Sequence, residues 1–152
     1  MTVPFADTSV AGLCRSLAAD IARYTEAAGD GPCETAIPGL LFFRESQPHH
    51  TAGNIADPLL AIAVQGRKEV MVGDETYISA PGQHMVITVD LPVCAFLSEA
   101  TPEKPYLGIK LLLDRALLCD LLPLAPAFEG VGSRRAIALS PGDRAQSRAR
   151  RR

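Results

Sequence analysis

The chain has 152 residues, 47% of them hydrophobic and 21% charged, with a formal net charge of −2. That length holds one domain with its own core, and the composition excludes a disordered or low-complexity chain. With 12 Gly, 12 Pro, no Trp and 5% aromatics, it favours many turns and an aliphatic core, and no apolar run nears the roughly 20 residues of a membrane span.

The opening "MTVPFADTSV" lacks a basic region followed by an apolar run, so no export signal is read there. In "TSVAGLCRSLAADIARYTEAAGDG", Val10, Leu13, Leu17, Ile21 and Tyr24 recur at three-and-four spacing. This predicts a helix that lays that apolar stripe on the rest of the domain. Thr8 or Ser9 can cap its start, and Gly29 or Gly31 can end it.

The period then turns strand-like. "ETAIPGLLFFRES" is one candidate, broken at Pro38-Gly39, and "LLAIAVQGRKEVMVGDETYIS" supplies two or three more. Gly73-Asp74 suits a two-residue type II′ hairpin turn, with Gly at the first central position. "HMVITVD", "VCAFLSEA" and "PYLGIKLLL" follow as strands. "LDRALLCDLLP" reads as a short helix, capped by Asp114 and stopped by Pro123, with Leu117, Leu118, Leu121 and Leu122 on its apolar face. "FEGVGSRRAIALSP" can add a last irregular strand. Segments such as "AIAV" and "MVIT" are apolar on both faces, which fits a barrel or sandwich with helices packed outside. The barrel is expected to be closed.

Charge is unevenly spread. Residues 133–152 carry seven Arg and one Asp, a net of +6, and leave a body of net −8. An acidic body is a poor partner for nucleic acid, where affinity comes from basic groups displacing counterions. The final "GDRAQSRARRR" has no apolar periodicity and is expected to be a disordered basic tail. The organisation expected is therefore one regulatory domain over 1–140 and a tail over 141–152. Cys14, Cys33, Cys94 and Cys119 form no C-x-x-C pair. They read as reduced thiols in a cytoplasmic protein.

Catalytic motifs are sparse. The chain has no G-x-S-x-G elbow, no phosphate-binding loop and no strand-borne G-x-G-x-x-G. "GDETYISAPGQHM" has the order in which a cupin presents a metal-binding histidine, here His84. Such a centre needs several inward donors on neighbouring strands. The chain offers His49-His50 rather than alternate histidines. Adjacent strand residues face opposite ways, and "ESQPHHTAGN" reads as a loop. No metal, cofactor or catalytic residue is therefore expected. The alternative kept is a small cupin-type metalloenzyme, an isomerase or dioxygenase, using His84.

"ETAIPGLLFFRESQP", "AVQGRKEVMVGDETYISAPGQHMVITVDLPV" and "SEATPEKPYLGIKLLLD" resemble the N-terminal domain of AraC-type transcriptional regulators, over roughly residues 8–140. The resemblance implies a mainly β, cupin-like barrel (a double-stranded β-helix) with an N-terminal and a short C-terminal helix. It implies a ligand-sensing and dimerisation domain rather than an enzyme. DNA would be bound only through a separate C-terminal helix-turn-helix domain, absent from this sequence. The Arg-rich end departs from the family's usual continuation, so a truncated or frameshifted product is expected. A small-molecule effector is expected in the barrel mouth, contacted by Phe42, Arg44, Gln65 and His84. For Arg44 the competing reading is a salt bridge to Glu45 or another carboxylate. A homodimer is expected through Leu117, Leu121 and Leu124. The competing reading is that these leucines cover the barrel of their own chain.

Overall fold

The computed structural model describes residues 9–124 and 136–139. A helix, α1 (Val10–Thr25), precedes nine strands: β1 (Gly31–Glu34), β2 (Leu40–Glu45), β3 (His49–Ala56), β4 (Leu59–Gln65), β5 (Lys68–Val72), β6 (Glu75–Ser79), β7 (His84–Ile87), β8 (Leu91–Leu97) and β9 (Tyr106–Leu112). Then come α2 (Arg115–Leu121), a 3-10 turn (Leu122–Leu124) and β10 (Ile137–Leu139). The basic stretch 141–152 lies outside the described residues.

The strands form a six-stranded sheet, β1-β2-β9-β4-β7-β10, and a four-stranded sheet, β3-β8-β5-β6. Every pairing is antiparallel. The sheets pack face to face around Ala56, Leu59, Val70, Met85, Ile87, Val93 and Ile137, which come from both of them. No closed barrel forms. Among the described residues no strand pairing joins one sheet to the other, so the expected continuous shell is a two-layer arrangement with edges. Edge strand β1 carries Pro32, which removes an amide donor where no further strand needs it.

The turn chemistry is as expected at Gly73-Asp74. Val72 pairs with Glu75 across it, Gly73 has φ +57°, and no described non-Gly residue, Asp74 included, has positive φ, which fits type II′ and excludes I′. Asp114 Oδ1 accepts from Leu117 N at 3.0 Å and caps α2. Two strands escape the sequence pattern: β1, and β3, which occupies the stretch read as a loop. β3 holds few large apolar residues and is interrupted by a register shift between Thr51 and Asn54, with Gly53 at φ +66°. The alternation that marks a strand is lost there.

Helix α1 starts at Ser9, whose Oγ accepts from Gly12 N at 3.0 Å. Its buried face is not the stripe expected. Cys14, Ala18, Ile21 and Thr25 face the large sheet, while Val10, Leu13, Leu17 and Tyr24 are largely exposed. Only Ile21 belongs to both sets. Small residues let the helix axis sit close to β2, β4 and β9, where Ala18 and Ile21 pack on Val64 and Leu107.

Candidate functional site

Strand alternation divides the large sheet into two faces. On β2, β4 and β9, Phe42, Ile62 and Leu107 turn toward α1. Their neighbours Phe43, Glu45, Leu59, Ala61, Tyr106 and Lys110 turn the other way. They line a cavity of about 340 Å³ between the two sheets. The small sheet contributes His49, Thr51, Lys68, Val70, Val93 and Leu97 to its walls. Half of the lining is aliphatic, Thr51, Asn54, Asp57 and Ser79 add polar groups, and a charged group gathers around Phe43.

Lys68, from the small sheet, and Lys110, from the large sheet, converge on the Phe43 ring. Their Nζ atoms lie 5.9 and 5.7 Å from its centroid. A cation over an aromatic face gains about 0.5–1 kcal/mol when exposed and about 2 when desolvated. That recovers only part of the hydration a buried ammonium loses. Neither lysine forms an ion pair with a carboxylate among the described residues. Burial, and then Lys110, push the Lys68 ammonium below its ordinary range, and Glu45 opposes them. Glu45 itself is raised, first by burial and also by Asp30, against the pull of His49 and Lys68. Tyr106 is buried, and burial pushes its hydroxyl up to about 12, so it stays a neutral phenol.

Room for Tyr106 comes from Gly108. A Cβ at Gly108 would sit 2.9 Å from the Tyr106 hydroxyl and 3.2 Å from the Ile62 carbonyl oxygen. Gly108 is also the cross-strand partner of Phe43, so the position opposite that ring carries no side chain.

The residues expected to touch a ligand do not meet in this cavity. Phe42 packs edge-to-face on Tyr24, with centroids 5.1 Å apart, and borders a separate depression between α1 and β2. Arg44 donates to the Ala22 carbonyl at 3.3 Å and lies 4.0 Å from Asp30 Oδ1. It thus ties β2 to α1 and to the following loop, as its competing reading supposed with a different carboxylate. Asp30 is in turn held below the usual carboxylate range, chiefly by the Ser46 amide and hydroxyl, with Arg44 adding to them. Gln65 donates to the Pro105 carbonyl at 2.8 Å. His84 is exposed on β7, beside Ile62, while its neighbour Met85 turns into the cavity. His49 lines the cavity and His50 stacks outward on Phe96, so the adjacent pair does split between faces. No group of three or more His, Cys, Asp or Glu is placed to hold a metal among the described residues.

Leu117, Leu121 and Leu124 are exposed, and α2 buries no residue. They therefore do not cover their own sheets. Cys14, Cys33, Cys94 and Cys119 are free thiols.

The residues missed by the sequence reading are Phe43, Glu45, Lys68, Lys110 and the inward His49. The available signal was a lysine inside an apolar strand. Lys110 interrupts "YLGIKLLL", and Lys68 opens "KEVMV". The parity of "LLFFRE" was not available, because every residue of β2 is partly buried.

Residues 36–152 match the family model described as AraC-type transcriptional regulator N-terminus. The chain belongs to this family. The AraC_N match begins after α1 and β1 and runs through the Arg-rich stretch 141–152, which reads in sequence as a departure from the family pattern. No curated protein matches the sequence. Among solved structures, an apo ToxT variant from Vibrio cholerae gives a TM-score of 0.48 at 7% identity, covering 70% of this chain and 43% of that one. A protein of unknown function from Rhizobium leguminosarum bv. viciae gives 0.47 at 15% identity, covering 58% and 86%. A cupin superfamily protein from Desulfitobacterium hafniense gives 0.41 at 10% identity, covering 53% and 72%. The expected class, a mainly β, cupin-like fold with an N-terminal helix and a short C-terminal helix, is the one observed. Among the described residues, no helix is long and apolar enough to cross a membrane.

Proposed function

We propose that this AraC_N domain is a non-enzymatic sensor: a small molecule enters the space between the sheets, and two copies of the domain associate through the face of α2. The observation that carries the sensor reading is the cavity itself. Its volume of about 340 Å³ lies at the small end of the 300–1,000 Å³ range of ligand sites, and an aliphatic wall with a few convergent polar groups is the usual composition of such sites. Family membership supports a regulatory output. A ligand changes that output only by binding one conformation better than another. In this reading the protein works in the cytoplasm, and DNA binding falls to a separate unit.

The dimer reading is supported by Leu117, Leu121 and Leu124, which present an apolar row that the sheets do not cover. A two-fold axis would bring two such rows together. The metalloenzyme alternative gains nothing from the geometry, because His84 stands outside the cavity.

Native mass spectrometry of the purified protein tests the sensor reading. The expected result is a small molecule released on unfolding, or an apo protein whose melting temperature rises with one compound from a metabolite library. A Val70→Trp variant, which fills the cavity, is expected to abolish either signal. Ligand retention by that folded variant would place the site elsewhere. Light scattering tests the dimer: a monomer at tens of micromolar would remove it.

A further inference from the structure

We infer that the Tyr106 hydroxyl is the hydrogen-bond donor by which the cavity recognises an uncharged ligand, one that carries a ketone or tertiary-amide oxygen on a compact apolar body. This rests on reading the cavity as a ligand site and adds the wall atom that selects what enters it.

Tyr106 is 7% exposed and lines the space between the sheets. Two glycines hold its side chain. A Cβ at Gly66 would lie 3.2, 3.3 and 3.4 Å from the Tyr106 Cα, Cδ2 and Cβ, and a Cβ at Gly108 would lie 2.9 Å from its hydroxyl. Gln65 donates to the carbonyl of Pro105, the preceding residue, at 2.8 Å. The ring is therefore fixed with its hydroxyl over Gly108, on the sheet face that lines the cavity. Among the described residues no group hydrogen-bonds that hydroxyl, and burial alone pushes it up to about 12, so it keeps its proton. A buried polar hydrogen left without a partner is costly, and a side chain held this way cannot swing round to find one. An acceptor brought in by a ligand satisfies it.

The charge of the lining sets the charge of the ligand. Lys68 and Lys110 bring two positive groups and Glu45 and Asp57 two negative ones, so with His49 counted as neutral the ionised side chains balance. A net charge on the ligand would break that balance in a poorly solvated space. A ketone or tertiary-amide oxygen accepts from Tyr106 without bringing a proton that needs an acceptor of its own. The body is set by Leu59, Val70, Met85, Ile87 and Val93, which offer it no hydrogen-bonding side chain.

The test uses the full chain and four probes of one shape, each titrated by calorimetry at neutral pH. They are acetophenone, α-methylstyrene (a CH2 in place of the oxygen), benzoate and benzamidine. Acetophenone is expected to bind at least about fivefold more tightly than each of the other three. Tyr106→Phe keeps the ring and removes only the hydroxyl. It is expected to weaken acetophenone to the level of α-methylstyrene, whose own affinity changes less than about twofold. The carbonyl stretch of bound acetophenone is expected at lower frequency in wild type than in Tyr106→Phe, which a merely structural role of the ring would not produce. Circular dichroism checks the fold. Should Tyr106→Phe not fold, the stretch in wild type is compared with that in hexane, and equal frequencies would overturn the inference. Binding of α-methylstyrene as tight as that of acetophenone, or a preference that survives Tyr106→Phe, would overturn it and leave the sensor reading in place. Tighter binding of benzoate or benzamidine would overturn the uncharged class. Acetophenone binding that survives Val70→Trp would place the probe outside the cavity and overturn both readings. If none of the four probes binds, the inference falls, and copurification of a different ligand would still decide the sensor reading independently.

Discussion

The two faces of the six-stranded sheet are built to opposite rules. The face under α1 is packed at its centre, with a depression at the side between α1 and β2. Ala18 and Ile21 pack on Val64 and Leu107, and the one buried polar group of the helix, Thr25, donates its hydroxyl to the Ile21 carbonyl at 2.8 Å. The other face is left with a void, a glycine that makes room for Tyr106, and two lysines with no paired carboxylate among the described residues. Packing density stabilises, so the first face reads as the scaffold. Unfilled volume and poorly solvated charge destabilise, so the second face carries features that stability alone does not account for. The same strands make both, one residue apart.

The largest effect expected on the packed face comes from Ile21→Ala. Ile21 is 1% exposed and lies at the centre of the α1 contact. Removing its branched chain from a well-packed site costs about 2–5 kcal/mol, read as a lower urea midpoint with an unchanged slope. A loss below about 1 kcal/mol would mean that α1 is loosely docked and that the contrast between the faces is weaker than the packing shows.

Gly108→Ala probes the open face and comes next. The added Cβ meets the Tyr106 hydroxyl at 2.9 Å and a backbone oxygen at 3.2 Å, so one of the two must shift. Overpacking of this kind costs about 1–3 kcal/mol. In a Tyr106→Phe background the nearer contact is gone, and the penalty is expected to shrink. Equal penalties in the two backgrounds would place the strain at the Ile62 carbonyl or at the Tyr106 ring carbon, 3.3 Å from the added Cβ, instead.

Lys68→Met is expected to have the opposite sign. It exchanges a desolvated ammonium for an apolar chain of similar length, and such exchanges stabilise by about 1–4 kcal/mol in buried ion clusters. With the group half relieved by Phe43, the low end, about 1 kcal/mol, is expected here. The pH dependence follows from the direction of the shift. Lys68 is depressed in the fold from its ordinary 10.5, so between the lowered value and 10.5 the unfolded chain holds the proton and the folded one does not. Wild-type stability therefore rises with pH across that window, and the advantage of Lys68→Met narrows there. Urea unfolding at neutral pH and near pH 10 measures it. A variant less stable than wild type at neutral pH would show that Lys68 is well solvated after all.

Much of this layout was legible beforehand, and the failures share a cause. The strands β4 to β9 stand out because turn residues bracket them and their apolar runs are long enough to count. The α1 stripe misled because large apolar residues were taken to mark the buried face. Here the close approach of helix and sheet selects Cys14, Ala18 and Thr25 instead, and leaves Leu13 and Leu17 outside. Strand β3 was hidden by its bulge. On β2 the residues expected to touch a ligand and those that line the cavity differ by a single step of parity. Residues Leu40 to Glu45 of that strand are partly buried on both sides, so nothing in the sequence says whether Phe42 and Arg44 or Phe43 and Glu45 face inward. The closed barrel was expected from two-sided burial, but a helix covering one side of an open sheet produces the same pattern.

That parity also gives the smallest and most discriminating prediction. Arg44 reads in sequence as a contact for an anionic ligand, yet its guanidinium reaches the Ala22 carbonyl and the vicinity of Asp30, on the α1 side of the sheet. Partly exposed pairs of this kind contribute about 0.2–1 kcal/mol, so Arg44→Met is expected to lower stability by no more than that. Its effect on the affinity of a small molecule bound between the sheets is expected to stay within about twofold, because Arg44 is not part of that lining. A tenfold loss at Arg44 with no loss at Lys68 would move the ligand to the depression between α1 and β2. The face taken here as scaffold would then be the one that senses.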